Sequence, residues 1–139
     1  MYTENSAGYL AVQWFQQVWR NQDAEAIELL MAPDARGHLE GGFEFTGPEE
    51  FIKLHATMLM TFPDLKMELL GVLAEGNQAC LHWRACGTHM GQGPGLPPPT
   101  NKEISFRGMT WFRVENGLIV EGWDCWNQAR FLAELQGAD

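Results

Sequence analysis

The residue of this chain best suited to chemistry is an aspartate on an apolar strand face. Leu118 to Trp126 reads as a strand. Counting by two, Asp124 shares a face with Val120, Gly122 and Trp126, while Ile119, Glu121, Trp123 and Cys125 take the other. A carboxylate in apolar company is either paired, or desolvated with its pKa raised toward a value useful for proton transfer. Arg84, Arg107 and Arg113 are available as ion-pair partners, and a solvated strand end is a third possibility. Glu121 has the opposite parity. The two acids therefore do not form a glycosidase-like carboxylate pair unless a bulge intervenes.

Other candidates for chemistry fall away on spacing. Cys80, His82 and Cys86 alternate along one strand, which puts the outer two about 20 Å apart, too far for one metal. His38 and His89 lie far apart in the chain. No Gly-rich strand–turn–helix cradle, GxSxG elbow or HExxH pair is present. Cys80, Cys86 and Cys125 are odd in number and lack CxxC spacing, so they are expected to be reduced and mostly buried. Neither a metal nor a cofactor is expected. What remains is cofactor-independent acid–base work on an apolar ligand.

The elements that must position Asp124 follow from periodicity. Leu10, Trp14 and Val18 step by four, widened by Phe15 and Trp19, and predict a helix from about Ser6 to Arg20. Asp23 caps a second helix to about Met31, which Pro33–Asp34 ends. Short strand fragments follow at Ala35–Leu39 and Phe43–Phe45. Thr46, Pro48 and Glu49 form a helix start of the capping-box kind, continuing to about Thr61 with His55 beside the apolar stripe. The period then changes from 3.6 to 2, predicting strands at 64–73, 78–90 and 103–114. Between the last two, Gln92–Thr100 is a proline-rich loop, long enough to lie over a pocket mouth or another subunit. Glu115–Asn116–Gly117 turns the chain into the Asp124 strand. Ala129, Phe131, Leu132 and Leu135 make a terminal helix that Gly137 ends. Three helices followed by four antiparallel strands predict one α+β domain over residues 1–139, a curved sheet wrapped around helices.

Composition narrows the partners. Nine basic and eighteen acidic residues give a net charge of −9, and no basic run or stripe exists, which disfavours nucleic acid and anionic membranes. No apolar run approaches the ~20 residues of a membrane span, and Met1 to Leu10 lacks a basic leader, so a cytoplasmic location is expected. Six Trp and eight Phe would suit an apolar cavity, a tight core or a subunit interface.

The stretches VWRNQDAEAIELLMAPD, FTGPEEF, FPDL, GTHMG with GLPPPT, and FRVENGLIVEGWDCWN leading to FLAELQG cover nearly the whole chain. In that order they resemble the SnoaL-like polyketide cyclases of the NTF2-like, ketosteroid-isomerase-like superfamily. The resemblance implies a cone-shaped α+β barrel, with three N-terminal helices packed against a curved, mainly antiparallel sheet of four to six strands. It also implies a deep apolar pocket and a homodimer or higher homo-oligomer formed through the sheet. In these cyclases a last-strand aspartate is the general acid/base of an intramolecular aldol closure of an anthracycline precursor, without metal or cofactor. That aspartate falls on Asp124. A pocket histidine of the family falls on Thr110, a nearby glutamine on Gly108, and a histidine two residues before the aspartate on Gly122; Asn127 stands where many relatives carry an aspartate.

The expected function is thus acid/base chemistry on a carbonyl-bearing, polycyclic or aromatic substrate. Asp124 transfers the proton, Thr110 orients the substrate, and Trp14, Trp19 and Trp126 form walls, with Trp123 opposed by its parity. His55, Gly108 and Gly122 complete the candidate ligand contacts. Arg107, Trp111 and the GTHMG region are candidates for replacement polar contacts. The competing readings are a hydrolase or dehydratase using the same pocket, and a non-catalytic small-molecule-binding or assembly domain.

Overall fold

The computed structural model describes residues 3–93 and 96–136. Helix α1 (Ala7–Gln13) opens on Ser6, whose hydroxyl accepts from the Tyr9 N–H, and continues without a break into a π-helical segment, Trp14–Arg20. That winding has a consequence for the site. In an α-helix, residues five apart point roughly 140° from one another. The wider π turn, closed by Asn21 N–H donating to the Gln16 carbonyl, allows Trp14 and Trp19 to face the same cavity.

Helix α2 (Glu25–Leu30) is shorter than expected, and strand β1 (Met31–His38) begins where it stops. Pro33 and Asp34 do not terminate a helix; they lie inside β1. The strand tolerates the proline because its ladder with β6 is interrupted between Met31 and Arg36, where no N–H is demanded. Strand β2 (Glu44–Thr46) leads into α3 (Gly47–Thr61). The capping contact there differs from expectation. Thr46 makes no side-chain cap bond, and Glu50, not Glu49, reaches back to accept from the Thr46 N–H at 3.1 Å.

Strands β3 (Lys66–Glu75), β4 (Gln78–Thr88), β5 (Glu103–Glu115) and β6 (Leu118–Trp126) form an antiparallel meander, and α4 (Gln128–Leu135) closes the described chain. Gly137, expected to end that helix, lies outside the described residues. Asn116 and Gly117, at φ 52° and 75°, supply the two left-handed residues that a tight hairpin turn needs.

The sheet runs β2-β1-β6-β5-β4-β3, with β1 and β6 parallel and every other pair antiparallel. It is mixed, six-stranded, curved and open, so the barrel is not closed. The helices bury Leu10, Ala11, Trp14, Phe15 and Val18 against inward residues Leu81, Ala85, Phe112 and Val114. At the other end Phe131 and Leu135 of α4 complete the core beside Phe62 and Phe106.

Strict alternation fails once on β6. Arg113 pairs with Glu121 but Val114 pairs with Ile119, so Val120 is a bulge. The extra residue turns Ile119 inward, where it is buried, instead of leaving it on the Glu121 face. Beyond the bulge, Gly122, Asp124 and Trp126 keep their inward parity.

Candidate active site

Asp124 stands on the inner face of β6 directly opposite Thr110 of β5. The Thr110 hydroxyl donates to Asp124 Oδ1 at 2.6 Å, and the Trp83 indole Nε1–H donates to the same hydroxyl oxygen at 3.0 Å. The chain of donors has one polarity. An indole N–H can only donate, so it occupies a Thr110 lone pair and leaves the hydroxyl proton for Asp124. Oδ2 of Asp124 has no protein partner among the described residues and belongs to the cavity side. None of Arg84, Arg107 and Arg113 reaches this carboxylate. Arg84 pairs with Glu68, and Arg113 with Glu115 and Glu121.

Two adjoining chambers meet at this residue. The first, about 80 Å³, is lined by Trp14, Trp19, Met67, Trp83, Phe106 and Trp126 among others. The second, about 50 Å³, lies toward Phe45, Phe51, Phe112 and Gly122. Trp14, Trp19, Thr110 and Asp124 border both. Burial among these rings pushes the Asp124 pKa from 3.8 up to about 6; the Thr110 bond opposes the shift and the Glu40 charge adds to it. Glu40 itself is tied to the strand by accepting from the Trp126 N–H at 3.0 Å. A carboxyl group that titrates near neutrality, with one oxygen held and the other facing an apolar cavity, is equipped to take and return a proton.

The structure brings together Asp124, Thr110, Trp14, Trp19, Gly122 and Trp126 of the expected set. It leaves others out. His55 is buried on α3, its Nε2 2.7 Å from the Val18 carbonyl oxygen and its ring 5.0 Å from Trp19, so it braces the π-helical wall without lining either chamber. Gly108 lines neither. A Cβ there would fall 2.6 Å from the Cys125 carbonyl oxygen and 2.8 Å from the Trp83 ring, so its role is to let strands and indoles close up. Trp123 lies on the outer face, stacked on His38 at 5.5 Å. Arg107 and Trp111 are also outward and exposed, and His89 is fully buried against Thr100, so none of them lines a chamber.

The cysteines correct another expectation. Cys86 and Cys125 are exposed and Cys80 is half-buried. All three belong to the outer sheet face, Cys80 and Cys86 on β4 and Cys125 on β6, because the inner positions of both strands are the alternate ones. The proline-rich loop follows Met90 and Gly91, whose N–H groups donate to the Thr61 carbonyl at the end of α3, and its described residues line neither chamber. Pro94 and Gly95 of that loop lie outside the described residues.

Trp83 is the site residue that sequence reasoning missed. Its inward parity was legible; its alignment with Gly108, which makes room for the indole beside Thr110, required the β4–β5 register. Among the described residues, no three His, Cys, Asp or Glu side chains gather in a way that could hold a metal ion. No described helix is long and apolar enough to cross a membrane.

Comparison with known proteins agrees with this architecture. No protein of curated function matches the chain significantly. A candidate SnoaL-like polyketide cyclase from Jannaschia sp. CCS1 superposes with a TM-score of 0.83 at 21% identity, over 91% of this chain and 88% of that one. AclR, a candidate hydroxylase from Streptomyces galilaeus, is 27% identical over 92% of this chain and 79% of its own, with a TM-score of 0.78. IdmH, a candidate polyketide cyclase from Streptomyces antibioticus, is 25% identical over 90% and 95%, with a TM-score of 0.75. The family model for SnoaL-like polyketide cyclases matches residues 9–135, nearly the entire chain. This chain belongs to the SnoaL-like polyketide cyclase family.

Proposed function

We propose that this protein catalyses an aldol-type acid/base reaction at a carbon next to a carbonyl, with Asp124 as the proton-transfer group. The observation that carries the reading is the Asp124 carboxyl itself, raised to about 6, bonded among the described residues through Oδ1 alone and bordering two apolar chambers. As carboxylate it removes the proton from the activated carbon. The electron pair of that C–H bond becomes the enolate, which attacks a second carbonyl carbon of the same molecule. The resulting alkoxide takes the proton back from Asp124, restoring the carboxylate. The Thr110 hydroxyl donates a hydrogen bond but does not give up its proton near neutral pH, and its part is to hold the carboxylate in position.

The test is proton exchange. In deuterated buffer the wild type should accelerate deuterium uptake at the carbon between the carbonyls of a bound 1,3-dicarbonyl, and Asp124→Asn should lose that acceleration while binding the compound within about threefold. Equal exchange by the variant would move the chemistry elsewhere. Binding without exchange by the wild type would favour a non-catalytic binding domain.

We further propose that the outer sheet face joins two copies of the chain. Leu73, Met109 and Trp111 are 79%, 50% and 48% exposed there, a large apolar area for a monomer to present to water. Light scattering should give a dimer or larger for the wild type and a smaller mass for Trp111→Glu; a wild-type monomer would remove this assignment.

A further inference from the structure

Building on the acid/base reading, we infer that the substrate is a compact carbonyl compound of about one aromatic ring's bulk, threaded past Asp124 with one end in each chamber, and not a fused polycycle. The chambers measure about 80 and 50 Å³. Even joined, they fall short of the ~150 Å³ dry cavity that holds one benzene molecule, and far short of the roughly 300–1,000 Å³ of ordinary drug-sized ligand pockets.

The walls resist being pushed back, because the rings that form them are held by other rings. Trp126 lies 5.3 Å from Phe106 and 5.1 Å from Phe131, and Trp14 lies 5.0 Å from Phe51 and 5.9 Å from Phe112. Moving one indole therefore means repacking its neighbours in a close-packed core. Met58 and Met67 are the adaptable members of the first chamber's wall, and they provide the slack for a single ring to enter.

Both ends are apolar. Apart from indole N–H groups, the first chamber has no polar side chain except Thr110 and Asp124, so an uncharged aryl group suits it. Arg36 and His38 border the second chamber by their position on β1, but their side chains belong to the outer face, where they neighbour Glu121 and Trp123. The inward side chains there are Phe45, Phe51, Phe112 and Ile119, beside Gly122. The carbonyl end of the substrate is therefore placed by Asp124 and Thr110, which border both chambers. Gly122 contributes space rather than backbone freedom. A Cβ at that position would meet Phe112 at an ordinary 3.4 Å, so a larger side chain would fill the chamber without breaking the strand.

A matched series tests this: 1-phenyl-, 1-naphthyl- and 1-anthracenyl-butane-1,3-dione, titrated against tryptophan fluorescence. We expect the phenyl compound to bind at least tenfold more tightly than the naphthyl one, and the anthracenyl compound not to bind. Gly122→Val should weaken the phenyl compound at least tenfold, and Trp126→Ala should admit the anthracenyl compound; should the tryptophan variant not fold, Met67→Ala provides a smaller enlargement, which should admit the naphthyl compound. Wild-type binding of the anthracenyl compound as tight as the phenyl one, or no binding of any member, would overturn the inference. The acid/base reading fails separately. If the anthracenyl compound binds and exchanges deuterium in wild type but not in Asp124→Asn, the size limit is wrong and the role of Asp124 stands.

Discussion

Asp124 and Glu121 sit three residues apart on the same strand and have opposite fates. Glu121 faces outward, where His38 Nε2 at 2.7 Å and Arg113 at 3.1 Å hold its pKa below the ordinary glutamate value. Asp124 faces inward among rings, where one hydroxyl bond only partly offsets desolvation and the pKa rises. One carboxylate is neutralised by cations and ties strands together; the other is denied them and stays able to change its charge. Parity on the sheet, not residue type, separates a structural acid from a reactive one, and pairs pushed apart in pKa are where acid/base roles are found.

The largest break in this contrast comes from removing the inward charge. Asp124→Asn should reduce turnover by about 10²–10⁴-fold, the usual worth of a general base. Wild-type kcat/KM should climb as pH rises through about 6, where the carboxyl becomes the base, and then level off. Stability should move the other way. A carboxyl with its folded pKa raised binds protons more readily when folded, so it favours the fold below about pH 4 and loses that contribution as pH rises to about 6. The Asn variant escapes the loss, and at pH 8 it should be more stable than wild type by on the order of 1–3 kcal/mol, read as a higher Tm. A variant less stable at pH 8 would contradict the burial account.

Next come the two residues that hold the carboxylate. Thr110→Val removes the donor that lowers the Asp124 pKa, so the ascending pH limb should shift to higher pH and turnover should fall about tenfold, in line with a hydrogen bond to a charged group. Trp83→Phe keeps the ring but frees the Thr110 hydroxyl from its fixed polarity. We expect a fewfold loss of kcat and a smaller shift of the limb in the same direction, with KM for a small ligand nearly unchanged. Loss of activity without movement of the limb would assign Trp83 to packing alone.

Much of this site was legible in the sequence because the strands obey period two. Asp124, Gly122 and Trp126 share a face from alternation alone, and Asn116–Gly117 marks the turn that aligns them with β5. Three things required the fold. The bulge at Val120 reverses parity for Ile119 without a sequence signal, since valine suits either face. The π-helical winding that brings Trp14 and Trp19 together is absent from any α-helical wheel. Pro33 reads as a helix stop because proline stops helices, yet it sits in a strand where the ladder has a gap. His55 shows the other side: a histidine beside an apolar stripe is as well satisfied by a backbone carbonyl as by a ligand, and only the contact with Val18 decides it.

The smallest effect sharpens the comparison from the outer face. Glu121→Gln removes the largest cause of the raised His38 pKa and one of the carboxylates facing Arg113, but it touches neither chamber. Turnover should stay within about twofold of wild type, while stability should fall by no more than about 1 kcal/mol, because the groups are partly exposed and water screens them. The loss depends on pH at both ends. The Glu121 contribution exists above its ordinary pKa near 4.5 and fades as pH falls through its lowered folded value. The His38 contribution is full below 6.5 and fades as pH rises through its raised folded value. The Tm difference between wild type and Glu121→Gln should therefore be greatest between about pH 5 and pH 6.5 and shrink at higher pH, as the ion pair dissolves and Arg113 alone remains. A turnover defect comparable to that of Thr110→Val would mean that the two faces of β6 are coupled through the strand, and that Asp124 owes its reactivity to more than the rings around it.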